Sequence, residues 1–303
     1  MSTDKLLVLN ESQVRAVLSY DDLIPAIRQA LIDFSAGRVV QPLRTVISVA
    51  AHSGWFACMP AVYGNVMGTK MVTFYPGNVD LQKHTHLATI QLFRSDTGEP
   101  LAVIDGRLIT EMRTAAVSAV AVDLLAHPRA STLAILGSGV QARSHVAALS
   151  RIRSFNDIRV WSRSRDHAQK FASEIGARIT TAEEAVAGAD VVLTVTSSPE
   201  PILFGKWLRN NALVCAVGAV TKDRRELDQE AMRGSVVVES REAAQREPGD
   251  ILLSHAHLTA ELGELLAGAV MPKKDGPIVF KSVGIAVEDI AAAKLVYDKI
   301  AAP

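Results

Sequence analysis

The stretch of sequence that decides the fold runs Leu133-Ala134-Ile135-Leu136-Gly137-Ser138-Gly139-Val140-Gln141-Ala142. Four apolar residues lead into a Gly-x-Gly-x-x-Ala turn, and a helical pattern follows, as in the first βα turn of a dinucleotide-binding unit. The two glycines permit a tight turn and a close approach to a pyrophosphate, which would lie on the free N–H groups of the helix N-terminus. This predicts cofactor contacts at residues 137–141; the alternative is a purely structural glycine turn.

Strands and helices alternate regularly from Ser131 onward. We predict buried, valine-rich strands near 132–136, 158–161, 177–180, 190–195, 213–217, 235–239 and 278–281. Such alternation is typical of a parallel sheet covered on both faces. The predicted fold class of this part is therefore α/β, a Rossmann-type doubly wound parallel sheet.

The part before Ser131 is β-rich, and its strands follow one another without long helices between them. Strands are predicted at 6–9, 44–50, 55–58, 66–75, 85–93 and 101–104. Helices are predicted at 12–18, at 23–36 with Asp21 and Asp22 at the N-cap, and at 110–126. This α+β part cannot belong to the doubly wound sheet. A last helix, 287–300, is expected to return to it.

Composition narrows the classes of function. The chain has 303 residues, and its 21% of charged residues with 49% hydrophobic ones excludes a disordered protein. Its net formal charge of zero argues against nucleic acid or an anionic membrane as a partner. Neither a signal peptide nor a membrane-spanning run is visible, so we expect a cytoplasmic protein. Cys58 and Cys215 are predicted to be buried thiols, and no metal site is predicted.

The end of the second predicted strand indicates which dinucleotide binds. In NAD-specific sites, an acidic residue about twenty residues past the glycines binds the ribose 2′-hydroxyl. Here the strand runs into Ser162, Arg163 and Ser164, with no carboxylate. An arginine between two serine hydroxyls suits a 2′-phosphate, so NADP(H) is preferred and NAD(H) stays possible. The alternative for Arg163 is a solvated arginine.

Several blocks in the same order resemble the ornithine cyclodeaminase/μ-crystallin family, and most closely its μ-crystallin branch of ketimine reductases. They are Gly-Thr-Lys-Met-Val-Thr-Phe-Tyr at 68–75, Met-Arg-Thr-Ala-Ala-Val-Ser-Ala at 112–119, and residues 137–142, 184–191, 225–228 and 280–289. The resemblance implies a homodimer built through the β-rich domain. It also implies a substrate-binding and dimerisation domain at 1–114, completed by helix 287–303, and a NAD(P)-binding domain at 115–286.

Family members bind small amino acids or cyclic imino acids and hold the α-carboxylate with arginine and lysine. The positions that match are Arg44, Lys70 and Arg113. From the residues alone, each is equally a surface cation or an ion-pair partner; if the three converge, they would clamp a carboxylate and aim the adjacent carbon at the nicotinamide.

Further cofactor contacts are expected where strands of the parallel sheet end. They are Thr196, Ser197, Val217, Gly218, Ser282 and Gly284. The family places the last two near the nicotinamide. Thr114, beside Arg113, is a further hydroxyl that could reach a phosphate.

Two positions argue against ornithine cyclodeaminase. That branch of the family has an aspartate where this chain has Val220 and a glutamate where it has Ala57. A deaminase needs a base to manage the leaving ammonia, and valine cannot accept a proton. A reductase has only to hold a protonated cyclic ketimine, Δ1-pyrroline-2-carboxylate or Δ1-piperideine-2-carboxylate, and deliver hydride from NADPH to give L-proline or L-pipecolate. We therefore predict a ketimine reductase.

Other readings stay open. Ornithine cyclodeaminase is the first alternative, and an acyclic amino-acid dehydrogenase or a non-enzymatic NADP(H)-binding, crystallin-like protein are others. His86 and Asp223 are candidate proton carriers, although a packed histidine and a solvated loop acid are the commoner settings. The sequence assigns no role to Glu111 or Asp289.

Overall fold

A computed structural model describes residues 6–273 and 275–301 of the chain. Two compact units are present: Met1–Arg113 with Gly284–Pro303 form unit 1, and Thr114–Val283 form unit 2. No helix in the described ranges combines the length and the apolar character needed to cross a membrane.

Among its described residues, unit 1 contains a seven-stranded sheet, three whole α-helices and the first turns of a fourth. The strands are β1 (Leu7–Leu9), β2 (Val39–Val40), β3 (Thr45–Val49), β4 (Gly54–Tyr63), β5 (Val66–Phe74), β6 (His86–Arg94) and β7 (Pro100–Asp105). The helices are α1 (Glu11–Val17), α2 (Tyr20–Ser35), the first turns of α3 (Arg107–Leu125), and α10 (Ala286–Ala301). The sheet order is β1-β7-β6-β5-β4-β2, with β3 paired to β4. All pairs are antiparallel except β1 with β7.

Helix α10 packs against α2 and against strands β4, β5 and β6. Its first turn carries Glu288 and Asp289, both fully buried. Gly68 on β5 permits this packing, because a Cβ there would overlap the Gln91 carbonyl oxygen and lie 3.0 Å from Ile290. The C-terminal segment thus brings two acids onto the sheet face that carries Lys70.

Unit 2 contains an eight-stranded parallel sheet. Its strands are β8 (Thr132–Leu136), β9 (Asp157–Trp161), β10 (Arg178–Ile179), β11 (Val191–Thr194), β12 (Leu213–Ala216), β13 (Ser235–Val238), β14 (Leu258–Glu261) and β15 (Ile278–Lys281). Its further helices are α4 (Val140–Leu149), α5 (Arg165–Ile175), α6 (Ala182–Val186), α7 (Arg241–Ala244), α8 (Gly249–Leu252) and α9 (Leu262–Leu266).

The strand order of this sheet is β10-β9-β8-β11-β12-β15-β13-β14. The chain adds β9 and β10 on one side of β8 and the later strands on the other side. The strand order therefore reverses between β8 and β11, which is the topological switch point where α/β sheets bind ligands. The four-residue strands β11, β12 and β15 are buried throughout. The chain therefore contains both a Rossmann-type parallel sheet and a β-rich α+β part. This confirms the predicted fold class.

The structure corrects several local predictions. Helix α2 begins at Tyr20 rather than Leu23, because the Ser19 hydroxyl accepts the N–H of Asp22 and caps it, not Asp21 or Asp22. Helix α3 begins at Arg107, whose N–H donates to the Asp105 carboxylate, so Arg113 lies in its second turn.

Three smaller differences concern strands and cysteines. Arg44 precedes β3 instead of lying on it. Strand β14 was not predicted, since its four residues carry no apolar run. Cys215 is buried as expected, but Cys58 is only half-buried.

Candidate active site

Lys70 lies in the middle of β5 with its side chain 2% exposed. Its Nζ is 2.7 Å from Oδ2 of Asp289, in the first turn of α10. Burial lowers the pKa of Lys70 to about 8, and the charges of Arg113 and Arg44 act in the same direction against Asp289. A lysine with such a pKa is still mostly protonated at neutral pH. It loses its proton and its charge when the pH rises slightly above 8.

Arg113 is held between the two acids of α10. Its Nε donates to Asp289 Oδ1 at 3.0 Å, and its Nη1 donates to Glu288 Oε2 at 2.6 Å. Burial alone would raise the pKa of Asp289, but Arg113 and Lys70 outweigh it and lower that pKa. Asp289 is therefore an ionised carboxylate shared by two buried cations.

Arg44 reaches the same place from the segment before β3. Its Nη2 donates to the carbonyl oxygen of Gly284 at 2.6 Å. The guanidinium of Arg113 lies against the Cα of Gly284, which has φ +69°. Unit 1 thus brings together Arg44, Lys70 and Arg113, which are far apart in sequence.

His86 is the first residue of β6 and is half-buried. Burial lowers its pKa to about 3, and the charges of Lys70 and Arg113 add to this effect. It is therefore a neutral imidazole at neutral pH, and a poor proton donor.

In unit 2, the glycine turn has the form that the sequence predicts. Gly137 adopts φ +127°, and a Cβ there would lie 2.7 Å from the carbonyl oxygen of Val195. Gly139 is the N-cap of α4, where no side chain caps the helix and a Cβ would meet nothing within 4 Å. Uncapped N–H groups beside open space suit a phosphate group.

The neighbouring side chains also suit a dinucleotide. Ser138 Oγ donates to Ser162 Oγ at 2.9 Å, which joins the ends of β8 and β9. Gln141 Oε1 is buried without a hydrogen-bond partner among the described residues. Val140 and Arg163 are exposed, and Ser164 caps α5 through the N–H of His167. The residues present therefore fit the predicted cofactor.

The remaining predicted cofactor residues lie where strands of this sheet end, except for Thr114 and Gly284. Thr196 and Ser197 follow β11, Val217 and Gly218 follow β12, and Ser282 follows β15. Thr114 is buried on α3. Gly284, which was assigned to the same group, contacts Arg44 and Arg113 in unit 1.

The positions that argued against a deaminase carry no acid. Ala57 is fully buried on β4, and Val220 is half-buried. Asp223 is exposed, and hydrogen bonding to Thr221 and to its own backbone lowers its pKa. It is ionised at neutral pH.

Sequence reasoning missed the roles of two groups of residues. Glu288 and Asp289 form the anionic half of the unit 1 cluster, and the available signal was two adjacent acids within an apolar helix. Arg143 was overlooked in unit 2, where its Nη1 donates to the carbonyl oxygen of Ser138 at 2.7 Å while its guanidinium pairs with Glu174.

The parallel sheet of unit 2 with its glycine turn defines a Rossmann-fold protein, and unit 1 carries the buried cations Lys70 and Arg113. The chain belongs to the ornithine cyclodeaminase/mu-crystallin family, whose model matches residues 4–303. It is 49% identical over 285 residues to the ketimine reductase mu-crystallin of Mus musculus, covering 91% of each chain. It is 33% identical to a Delta(1)-pyrroline-2-carboxylate reductase of Bacillus cereus, covering 97% of this chain and 96% of the other.

Among solved structures, the chain matches Delta(1)-pyrroline-2-carboxylate reductase of Thermococcus litoralis in complex with NADH and L-proline. The TM-score is 0.93 at 34% identity, and the match covers 98% of both chains. These relatives confirm the predicted family, its μ-crystallin branch and the class of enzyme, an oxidoreductase.

Proposed function

We propose that the protein reduces a cyclic ketimine with an α-carboxylate, Δ1-pyrroline-2-carboxylate or Δ1-piperideine-2-carboxylate, to L-proline or L-pipecolate, using NADPH. The observation that carries the proposal is the convergence of Arg44, Lys70 and Arg113 in one unit. The names of the relatives, which are reductases of such ketimines, support the same substrate class.

The three cations would hold the substrate carboxylate by charge-assisted hydrogen bonds. Asp289 pairs with Lys70 and Arg113, and Glu288 pairs with Arg113. A substrate carboxylate would be the third anionic group beside three cations. Fixing the carboxylate also fixes the adjacent C2 carbon, which is a positioning effect. These residues thus bind and orient the substrate.

The dinucleotide, when bound, supplies the hydride. The α4 N-terminus at Gly139 and Val140 would hold its pyrophosphate, and Ser162, Arg163 and Ser164 would hold the 2′-phosphate. We assign no proton donor in the protein, because His86 is neutral and Asp223 is ionised at neutral pH. The ketimine would therefore arrive protonated.

The enzymatic test compares three reactions of the purified protein. We expect NADPH oxidation with the cyclic ketimine, without comparable release of ammonia from L-ornithine and without comparable reductive amination of pyruvate. Ammonia release at a similar kcat/KM would overturn the proposal in favour of a cyclodeaminase. Binding of NADPH without turnover of any ketimine would instead indicate a binding protein.

The Lys70 charge predicts a pH dependence. Because the pKa of Lys70 is about 8, kcat/KM should fall as the pH rises through this value and the ammonium that holds the carboxylate is lost. In Lys70→Arg, the guanidinium stays charged, so the part of the fall near pH 8 that comes from Lys70 should disappear even if the maximal rate is lower. A fall that persists near pH 8 in the variant would assign it to the substrate instead.

Arg163 predicts the cofactor preference. Arg163→Ala should lower the ratio of kcat/KM for NADPH to that for NADH by about ten- to a hundred-fold, because a hydrogen bond to a charged group contributes about 1.5–3 kcal/mol. Arg178→Ala is a matched control, since Arg178 is also exposed but pairs with Asp157. Equal losses with both cofactors would contradict a 2′-phosphate contact.

We also propose that unit 1 binds the substrate and forms a homodimer, while unit 2 binds the cofactor. Exposed apolar residues on strands β2 to β4 support the dimer. They are Val40, Val46, Ile47 and Val62, with Val40 69% exposed. Several exposed apolar side chains on neighbouring strands are typical of a subunit interface. A molar mass near that of one chain in light scattering would contradict this expectation.

A further inference from the structure

Glu226 is a fully buried acid beneath the proposed cofactor site in unit 2. Its Oε1 accepts the N–H and the hydroxyl of Thr196 at 2.7 and 2.6 Å. Its Oε2 accepts the hydroxyl of Thr194 at 2.8 Å and the N–H of Gly218 at 2.7 Å. Two donors on each oxygen are the pattern of an ionised carboxylate. One side chain therefore joins the ends of β11 and β12.

Two further buried acids, Asp250 and Glu239, and one buried cation, Lys281, lie at or next to neighbouring strand ends. Together with Glu226 they are called the acidic layer. Asp250 accepts the N–H groups of Glu226 and Leu227, and its Oδ2 lies 3.0 Å from Nζ of Lys281. Glu239 accepts the Ser282 hydroxyl at 2.7 Å and the Val283 N–H at 2.8 Å. Glu226, Asp250 and Glu239 are thus three buried acids in this part of the sheet, and Lys281 pairs with Asp250.

This layer lies at one particular part of the sheet. Glu226, Glu239 and Lys281 are found at the carboxyl ends of β11, β12, β13 and β15. The glycine turn and the Ser162–Ser164 segment lie on the other side of the switch point, after β8 and β9. A dinucleotide that spans a Rossmann sheet places its two halves on opposite sides of that point. The nicotinamide half therefore belongs above the acidic layer.

We propose that Glu226, with Asp250 and Glu239, makes the site favour the oxidised, cationic nicotinamide over the reduced, neutral one. This rests on the cofactor site proposed above. The oxidised ring carries a positive charge that the reduced ring lacks, and a buried negative charge acts on it with little screening by water. Tighter binding of the oxidised cofactor also favours the complex that exists after the hydride has been transferred to the substrate.

The ionisation of Glu226 is a balance of opposing effects. Burial, which has the largest effect, and the charge of Asp250 raise the pKa of Glu226 above the usual value of a glutamate, while the charge of Lys281 and the hydrogen bonds from Thr196 and Thr194 oppose this rise. Exposed cations of the adjoining loop, Lys222 and Arg224, are in water and add little. The hydrogen-bond donors on both oxygens stabilise the ionised form of Glu226 against the effect of burial.

The test measures dissociation constants for NADP⁺ and NADPH with no substrate present. In Glu226→Gln, which keeps the shape but removes the charge and the two hydrogen bonds at one oxygen, NADP⁺ binding should weaken about ten-fold more than NADPH binding. That is the order expected for one buried charge at roughly 10 Å and an effective dielectric constant of about 20. Glu230→Gln is the matched control, because Glu230 is an exposed acid of the same segment, and its ratio should not change.

An unchanged ratio of the two dissociation constants decides against the proposal. If both dissociation constants rise equally in a folded Glu226→Gln protein, Glu226 acts only as a structural tie. If that variant does not fold, Asp250→Asn must shift the ratio in the same direction, since its Oδ1 can still accept both N–H groups. A wild-type protein that binds neither dinucleotide would refute the cofactor site as well, whereas normal turnover with an unchanged ratio would refute this inference alone.

Discussion

The Asp289→Asn protein is expected to lose about 3–5 kcal/mol of its free energy of unfolding. Asp289 contacts Lys70 at 2.7 Å and Arg113 at 3.0 Å, and its side chain is fully buried. An amide of the same shape removes the negative charge that faces the two buried cations Lys70 and Arg113. The loss is measured by urea unfolding at pH 7.

A second readout separates the charge of Asp289 from its packing. Asp289 raises the pKa of Lys70 against the effect of burial, so its loss should move that pKa below the wild-type value of about 8. The fall of kcat/KM on the alkaline side should move to lower pH by the same amount. A purely structural defect would lower the folded fraction without moving this pH.

The control is Asp96→Asn, which breaks an exposed pair with Arg94. No measurable change in stability or in the pH profile is expected there, because water screens such a pair. If Asp289→Asn is as stable as this control and keeps the wild-type pH profile, the cluster of unit 1 does not depend on Asp289 as we describe.

The sequence was most informative where neighbouring residues determine the structure. The strands of unit 2 are short apolar runs separated by helices, and the turn at Gly137 needs a residue without a side chain at φ +127°. Both features depend on local conformation and burial, which a sequence displays directly. The N-cap of α2 was harder to predict from the sequence, because Ser19, Asp21 and Asp22 are all good N-cap residues. The backbone conformation shows that Ser19 is the cap.

Pairing between distant residues was beyond sequence reasoning. Arg113 and Asp289 are 176 positions apart, and nothing in the spacing of either shows that they share a hydrogen bond. The same holds for Asp250 and Lys281, which form a buried ion pair. In each case the sequence shows only an unexplained charge in an apolar segment, which indicates a buried partner without naming it.

Gly284→Ala should lower kcat/KM about a hundred-fold and also destabilise unit 1. Gly284 has φ +69°, which costs a side-chain-bearing residue about 1–2 kcal/mol. Its Cβ would also overlap Nη1 of Arg113 and lie 2.9 Å from Nη2. Arg113 cannot give way freely, because Glu288 and Asp289 hold its guanidinium in a buried position. Either the arginine or the carbonyl that Arg44 binds must therefore move.

Gly37→Ala separates the clash from the backbone strain. Gly37 has φ +73°, and a Cβ there meets nothing within 4 Å, so it has the same strain without the overlap. We expect Gly37→Ala to lower the free energy of unfolding by about 1 kcal/mol and to leave KM and kcat unchanged. If Gly284→Ala shows no greater effect on kcat/KM than Gly37→Ala, then the position of Arg113 beside Gly284 does not matter for turnover, and the carboxylate clamp must be sought elsewhere.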